Sequence, residues 1–245
     1  MNVAELREEL NREYPYRIEL HAHSSPVSRC SEAPVPDLIA TYAKLGYHGL
    51  VLTNHFLTDY ATCMRGRTVE EGIGIWLNDY REAVKIGREH GLRVYLGAEI
   101  RFTESDNDYL IFGLTEKMLT EIYGYLPYGV ENFRGKYPMP DSVFIQAHPF
   151  RDGMTDVDPA ILDGIETFNM HPGQKSRNAV VNLYAGEENF GIRIVGSDFH
   201  FLRGRGPSVS AIRTKTLPDD SFGIAAILKS GDYLGEVGTR ALILP

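Results

Sequence analysis

The residues in this sequence best suited to chemistry are histidines and acids that follow short apolar runs. Five of the eight histidines come at or just past the carboxyl end of a predicted strand, and so do two acids. Imidazole and carboxylate groups are suitable ligands for Zn, Mn and Fe ions, so this placement predicts a metal cluster. The seven residues are His21, His23, His55, Glu99, His148, Asp198 and His200.

The pair His21 and His23 is the strongest local signal. In an extended segment residues i and i+2 point the same way, so both imidazoles can face one metal ion. Asp198 and His200 repeat this spacing at the end of a late predicted strand. Either pair alone is equally compatible with a surface pair or a turn. Two such pairs, each at a strand end, favour a shared metal site.

The single residues at strand ends are weaker signals. His55 and His148, taken one at a time, fit a hydrogen-bonded core histidine better than a ligand. Glu99 needs a cation or a hydrogen-bond partner, because burying an unpaired carboxylate is costly. A carboxylate there is well suited to bridge two metal ions. His171 follows another strand and is compatible with a ligand, a proton donor or, preferably, a substrate contact.

The elements that must position these residues alternate along the chain. Strands are predicted near 16–20, 49–53, 92–96, 109–112, 143–145, 165–168 and 192–195, with helices near 36–45, 70–89, 115–125 and 175–190. This alternation predicts a parallel sheet closed by crossover helices, with the site at the carboxyl ends of the strands. In the last of these helices Val180, Leu183 and Tyr184 are predicted to be buried. Residues 127–141, rich in Pro, Gly and aromatics, are predicted to form a flap over the site.

Composition restricts the class of protein. The chain has 245 residues, 43% of them hydrophobic, a formal net charge of −8 and only two cysteines. Two cysteines exclude a disulfide framework and a four-thiolate zinc site, and the acidic balance disfavours general nucleic-acid binding. No apolar run reaches the roughly 18–20 residues of a membrane span, and the acidic start is unlike a secretory signal. A cytoplasmic protein is therefore expected.

Other catalytic motifs are missing from the sequence. It contains no GxSxG elbow, no phosphate loop of the GxxxxGK[ST] type and no HExxH helix. A nucleophilic role for Cys30 is conceivable, but no base partner is evident, so a small apolar or incidental role is favoured.

Taken together, the motifs resemble those of the polymerase-and-histidinol-phosphatase (PHP) superfamily. They are the HxH pair, Thr-x-His at His55, Gly-x-Glu at Glu99, His-Pro at His148 and Gly-Ser-Asp-x-His ending at His200. The resemblance covers about residues 16–205. It implies that residues 1–245 form a single domain, a distorted (βα)7 TIM-like barrel that holds two or three divalent metal ions and hydrolyses phosphoesters.

Each metal site follows from the same resemblance. It implies a first metal on His21, His23, Glu99 and Asp198, a second on Glu99 and His148, and a third on His55 and His200. It also gives Asp198 the catalytic role. Two departures stand out. The nearest acid after the HxH pair is Glu32, which is assigned to the third metal, and residues 100–147 contain no histidine. The second metal would then be completed by water, substrate or a side chain such as His171.

The expected reaction is hydrolysis of a small phosphorylated metabolite, such as a nucleotide, histidinol phosphate or a sugar phosphate. Divalent Zn, Mn or Fe would lower the pKa of a bridging water toward roughly 7 to give the attacking hydroxide. Arg29, Arg203 and Arg205 flank the ligand loops and are predicted, with His171, to bind the substrate. No nucleic-acid or membrane partner is expected. The alternatives are a metal-dependent amidohydrolase and a metal-binding sensor without catalysis.

Overall fold

The computed structural model describes residues 2–58, 61–201, 210–238 and 241–243, and its strands lie in one sheet. The strands are β1 Tyr16–Ala22, β2 Gly49–Leu52, β3 His55–Phe56, β4 Arg93–Arg101, β5 Asp108–Phe112, β6 Val143–Gln146, β7 Gly164–Asn169, β8 Ile192–Gly196, β9 Ser210–Thr214, β10 Leu234–Val237 and β11 Ala241–Ile243. The helices are α1 Val3–Glu13, α2 Val35–Lys44, α3 Ala61–Met64, α4 Val69–Trp76, α5 Asn78–His90, α6 Glu116–Tyr123, α7 Val130–Lys136, α8 Asn178–Glu187 and α9 Ser221–Ser230. Within these ranges no helix is both long and apolar enough to cross a membrane.

The sheet is mixed and nearly closes on itself. Strands β1, β2 and β4 run parallel, as do β6, β7 and β8, whereas β5 is antiparallel to both of its neighbours. On the other side of β1 the sheet continues with β9, β10 and β11, each of which runs antiparallel to its neighbour. A bridge between Ala22 and Phe199, with a 3.1 Å bond from the His23 N–H to the Phe199 carbonyl, joins the ends of β1 and β8.

The prediction of an α/β fold with a barrel-like sheet is confirmed. The count of seven βα units is not, because β5 and the last three strands depart from parallel alternation. The hairpin between β4 and β5 replaces a crossover helix by a short turn, which only antiparallel neighbours allow. The carboxyl ends of β1, β2, β4, β6, β7 and β8 still share one edge, so the ligand-bearing segments meet there.

Apolar side chains fill the space enclosed by the sheet. Leu20, Val51 and Ile145 are fully buried in one cluster, and helix α9 adds Ile224 and Leu228 to it. Each such side chain contributes about 1.5–3 kcal/mol on burial. This packing fixes the strands, and through them the positions of the residues at the strand ends.

Helix α8 presents a different face to the sheet from the one predicted. Val180 and Leu183 are 47% and 70% exposed, while Val181 and Ala185 are buried. The Asn182 side-chain amide donates a 3.0 Å hydrogen bond to the Thr167 carbonyl of β7. The Asn182 hydrogen bond and the burial of Val181 and Ala185 therefore shift the buried face of α8 by about one residue from the face that the hydrophobic pattern predicted.

Residues 127–141 do not form the predicted flap. They contain helix α7, whose Phe133 is fully buried beside Phe102 and Phe144, with ring centroids 5.3 and 5.8 Å apart. Phe133 of this segment therefore belongs to the core, with Tyr137 partly buried against it, while Tyr128 is exposed.

Candidate metal centre

The seven histidines and acids at the strand ends converge on one buried point. His21 lies in β1 and His23 directly after it, while β3 and β4 carry His55 and Glu99. The segment after β6 carries His148, and the segment after β8 carries Asp198 and His200. Their ligand atoms fall into groups in which every pair lies within 4.8 Å. The groups are His21, His23 and Asp198; His21, Glu99 and His148; His23, His55 and His200; and His55, Glu99 and Asp108.

Glu99 lies at the middle of this cluster. Its Oε1 is 3.2 Å from His21 Nε2 and 3.0 Å from His148 Nε2. Its Oε2 is 3.3 Å from His23 Nε2 and 2.7 Å from His55 Nδ1. Four imidazoles thus surround one carboxylate, which is the arrangement a bridging ligand needs.

Asp198, two residues after the end of β8, faces the same point. Its Oδ1 lies 3.5 Å from His21 Nε2, 3.4 Å from His23 Nε2 and 3.3 Å from His200 Nδ1. Asp198 is 1% exposed, so its charge is not screened by bulk water. The carboxylates of Glu99 and Asp198 and the histidine ring nitrogens therefore share one buried volume.

The cluster fits a divalent cation. The buried atoms His21 Nε2, His23 Nε2 and Glu99 Oε2 have no hydrogen-bond partner among the described residues. The two Nε2 atoms lie 3.2–3.5 Å from neighbouring carboxylate oxygens, and Glu99 Oε2 lies 2.7 Å from His55 Nδ1. Their lone pairs point at a shared volume rather than at one another. Leaving each of these groups unsatisfied would cost about 1–3 kcal/mol, and coordination to a cation removes that cost.

Neighbouring side chains fix the tautomers of His21 and His23. The Glu166 carboxylate accepts a hydrogen bond from His21 Nδ1 at 2.9 Å. His23 Nδ1 lies 3.2 Å from the Ser28 hydroxyl, whose own proton goes to Asn54 Oδ1. Both Nδ1 atoms must therefore be donors, and both Nε2 lone pairs face the cluster, as in metal sites with an orienting outer shell.

Glu166 is a supporting residue that sequence reasoning missed. Its Oε1 orients His21, and its Oε2 accepts the His148 backbone N–H at 2.9 Å. The available signal was a charged residue inside the apolar run Ile165–Phe168, where an acid has to have a partner.

A second missed acid, Glu19, joins the two strands that carry the HxH and Asp-x-His pairs. The register of β1 against β2 shifts between Glu19 and Ala22. Glu19 Oε1 accepts the N–H groups of Leu20, His21 and Ser197 at 3.1, 2.9 and 3.0 Å. Burial raises the pKa of Glu19 to about 7 against the effect of these bonds. One side chain thus satisfies the irregular backbone beneath both ligand pairs.

The backbone is strained at two of the ligands. Among the described residues His148 and Asp198 are non-glycine residues with positive φ, 31° and 49°. Such conformations cost on the order of 1–3 kcal/mol and persist where the surroundings require them. Gly196 in β8 is required too, because a Cβ there would lie 2.6 Å from His21 Cβ and 2.3 Å from a Glu166 oxygen.

The imidazoles and carboxylates shift one another's pKa. Burial alone would lower the pKa of His21, but Glu166, Asp198 and Glu99 raise it well above its usual value. Burial would raise the pKa of Asp198, but His21 and His200 hold it well below its usual range. Asp198 is therefore ionised at neutral pH, which is the state a metal ligand requires, while His21 would release a proton on binding a cation.

The side chains of two other residues assigned from sequence, Glu32 and Arg29, lie away from this cluster. The Glu32 side chain is exposed and belongs to none of the groups of ligands among the described residues. Arg29 is exposed and lines a separate cavity with Cys63 and Asp79. Arg203 and Arg205 lie outside the described residues.

His171 lies at the rim of the cluster. Its ring meets that of His200 edge to face, with centroids 5.2 Å apart. Burial lowers its pKa to about 4, and the nearby His200 and Arg151 add to the effect of burial. A neutral imidazole beside the cluster is compatible with the predicted substrate contact.

Residues 100–147 contain no histidine, but Asp108 at the start of β5 places a carboxylate of this stretch at the cluster. It is buried, its Oδ2 lies 3.8 Å from His148 Nε2, and it groups with His55 and Glu99. Arg101 donates two hydrogen bonds to it, at 2.7 and 2.6 Å. Asp108 therefore lies where it could serve as a further metal ligand beside His148. The signal was the cross-strand pairing of Arg101 with Asp108, which requires the β4–β5 register.

Cys30 also reaches the cluster. Its Sγ lies 3.1 Å from His200 Nε2. Burial would raise its thiol pKa, but contacts with His200 and His55 lower it to about 6. The incidental role favoured from sequence does not account for this position.

The cluster opens into a cavity of about 400 Å³. Its charged lining comprises the five acids Glu99, Asp106, Asp108, Asp152 and Asp198 and the two arginines Arg101 and Arg151. Arg151 is 14% exposed and its Nη2 donates to Asp198 Oδ2 at 2.6 Å. The acids of the lining thus outnumber its arginines.

Three solved structures share this fold at low sequence identity. A two-domain protein of Bacteroides vulgatus, which contains a predicted PHP-like metal-dependent phosphoesterase, matches 91% of this chain with a TM-score of 0.58 and 13% identity. This chain spans 65% of that protein's length. PsfC of Pseudomonas syringae matches 86% of this chain and 88% of its own, with a TM-score of 0.57 and 13% identity.

The third is a candidate metal-dependent phosphoesterase of Bifidobacterium adolescentis, which matches 86% of this chain and 95% of its own, with a TM-score of 0.50 and 16% identity. No family model matches the chain, and no curated protein matches its sequence. The chain therefore has a PHP-type fold, and the resemblance inferred from its motifs is confirmed at that level.

Proposed function

We propose that this protein is a metal-dependent phosphoesterase that hydrolyses a small phosphorylated metabolite. The observation that carries the proposal is the buried cluster in which His21 Nε2, His23 Nε2 and Glu99 Oε2 face a shared volume without hydrogen-bond partners among the described residues. Divalent Zn, Mn or Fe would supply a Lewis acid and lower the pKa of a bound water toward about 7.

Two metal sites fit the ligand geometry. His21, His23 and Asp198, which form one group, would hold the first cation. His148, which groups with Glu99, and Asp108, whose Oδ2 lies 3.8 Å from His148 Nε2, would hold the second. Glu99 lies between them, with one oxygen near His148 and the other near His23. Imidazole nitrogens and carboxylate oxygens together suit these metals.

The charge of the cavity supports an anionic substrate only when cations are bound. Five carboxylates against two guanidiniums would repel a phosphate. Two divalent cations would change the sign of the cavity. Arg151, held by Asp198 and Asn169 at 2.6 and 2.9 Å, would then be fixed to bind a phosphate oxygen. The volume of about 400 Å³ favours a metabolite over a polymer.

The test is to strip the protein of metal, reload it with Mn²⁺, Zn²⁺ or Fe²⁺, and assay p-nitrophenyl phosphate and a panel of nucleotides, histidinol phosphate and sugar phosphates. Metal-stimulated release of phosphate that a chelator stops is the expected result. Cleavage of amide substrates in place of phosphoesters would identify an amidohydrolase. Stoichiometric metal binding without turnover of either class would identify a sensor.

A further inference from the structure

We propose that Cys30 is a thiolate ligand of a third cation site, together with His55 and His200, and that this site selects Zn²⁺. The inference rests on the proposed function, because it extends the same metal centre. It replaces Glu32, the acid that the resemblance assigned to this site, because Cys30 Sγ lies 3.1 Å from His200 Nε2 and contacts His55.

The position of Cys30 is fixed on both sides by the two histidines it contacts. Two residues before it, the Ser28 hydroxyl accepts the His55 backbone N–H at 3.0 Å. Two residues after it, the Glu32 backbone N–H donates to the His200 carbonyl at 2.8 Å. The loop between these bonds brings Cys30 Sγ to 3.1 Å from His200 Nε2 and into contact with His55.

A second observation shows that this part of the cluster is built for a cation. His23, His55 and His200 form a group whose ligand atoms lie within 4.8 Å of one another. His23, assigned to the first cation, is fully buried, and its Nε2 has no hydrogen-bond partner among the described residues, so the first site lies directly beside this one. His55, His200 and the adjacent Cys30 sulfur remain as the donor set of the third site.

The donor types decide which metal this site prefers. Thiolate and imidazole are both donors that Zn²⁺ takes, and three protein ligands leave the fourth tetrahedral position open. The neighbouring site around Glu99, Asp108 and His148 is richer in oxygen, which suits Mn²⁺ or Fe²⁺ better than a thiolate does. Coordination converts the Cys30 S–H to a thiolate, and the proton leaves to water. The two parts of the cluster are therefore expected to hold different metals.

Cobalt spectroscopy tests the sulfur ligand without any assay of hydrolysis. Metal-free protein loaded with excess Co²⁺ should show a thiolate-to-cobalt charge-transfer band in the near ultraviolet. The chain has only two cysteines, so the matched control is Cys63→Ser, which should keep the band, while Cys30→Ser should lose it. A band that survives Cys30→Ser, or that is absent from the fully loaded wild-type protein, would overturn the proposal.

Two further measurements cover the case in which Cys30→Ser misfolds. In the unmutated protein Zn²⁺ should slow alkylation of Cys30 by iodoacetamide at least about tenfold, as measured by peptide mass spectrometry, with Cys63 as the internal reference. Equal rates with and without Zn²⁺ would contradict the proposal. Elemental analysis should show one Zn fewer per chain in Cys30→Ser, and an unchanged Zn content would count against the ligand.

The outcomes separate this inference from the proposed function. A cobalt–thiolate band in a protein that cleaves no phosphoester would support the third site and refute the phosphoesterase. Phosphoester hydrolysis without the band would refute the sulfur ligand and leave the phosphoesterase standing.

Discussion

The floor of the cavity and its rim are built by different parts of the fold. The floor consists of His21, His23, Glu99, His148 and Asp198, each at most 1% exposed and held at strand ends. The rim consists of Cys30, Arg101, Arg151 and His171, which are partly or fully exposed and which, Arg101 apart, lie outside the strands. Strand ends of a closed sheet cannot move independently, whereas loops can differ between proteins that share the fold. The floor is therefore suited to hold metal, and the rim, apart from the proposed zinc ligand Cys30, is suited to select substrate.

The largest expected effect lies on the floor. His21→Ala removes a ligand whose Nδ1 is fixed by Glu166 and whose Nε2 faces the cluster. We expect phosphoesterase kcat to fall at least about a thousandfold, because a bound metal supplies several kcal/mol of transition-state stabilisation. Elemental analysis should show loss of at least one metal per chain. The exposed His90→Ala is the matched control, and a His21→Ala variant with normal metal content would refute the floor as the metal site.

The floor was predictable from sequence because each of its ligands directly follows or ends an apolar run. His21, His148 and Asp198 needed only the rule that parallel strand ends meet at one edge. The supporting acids Glu19 and Glu166 were missed because a charged residue in an apolar run does not reveal which backbone groups it will satisfy.

The rim was less predictable, because its contacts depend on strand register and loop path. The buried Asp108, next to the rim residue Arg101, could be identified only once the β4–β5 pairing placed the two opposite each other. The residues next to Cys30 in the sequence did not indicate a ligand role for it, and Arg29, predicted to bind substrate, lines a different cavity. Spacing along the chain does not determine which side of a loop faces the site.

The second largest effect tests whether the floor depends on its buried support. Glu19→Ala would leave the N–H groups of Leu20, His21 and Ser197 without their acceptor. We expect the free energy of unfolding to fall by about 3 kcal/mol or more, at about 1–3 kcal/mol for each unsatisfied group. Urea unfolding followed by circular dichroism measures this loss.

Glu19→Gln is the matched control for that substitution. Its amide oxygen keeps the three backbone bonds, and its NH₂ faces the hydroxyls of Tyr42 and Ser210, which can rotate to accept. We expect it to recover most of the stability lost in Glu19→Ala. Equal destabilisation by both substitutions would mean that packing, not backbone satisfaction, is the role of Glu19.

A smaller effect is expected for the acid that orients His21. Glu166→Gln replaces the carboxylate that accepts His21 Nδ1–H by an amide, which weakens the orientation and the basicity of the imidazole. We expect metal affinity to fall about 10- to 100-fold, the usual range for a residue that orients a ligand. Competition with a fluorescent chelator measures it, with the exposed Glu188→Gln as control. Unchanged affinity would show that His21 is held by packing alone.

The smallest effect should separate the rim from the floor. Arg151→Lys keeps the charge near Asp198 but removes the planar fork, so a phosphate would lose one of its charge-assisted hydrogen bonds. Such a bond contributes about 1.5–3 kcal/mol, so we expect KM to rise about tenfold or more while kcat and metal content change little. That pattern indicates loss of binding common to ground state and transition state. Arg29→Lys, in the neighbouring cavity, should leave KM within about twofold. If Arg151→Lys instead lowers metal content, Arg151 supports Asp198 and belongs functionally to the floor; if Arg29→Lys raises KM as much, the substrate extends into the cavity that Arg29 lines.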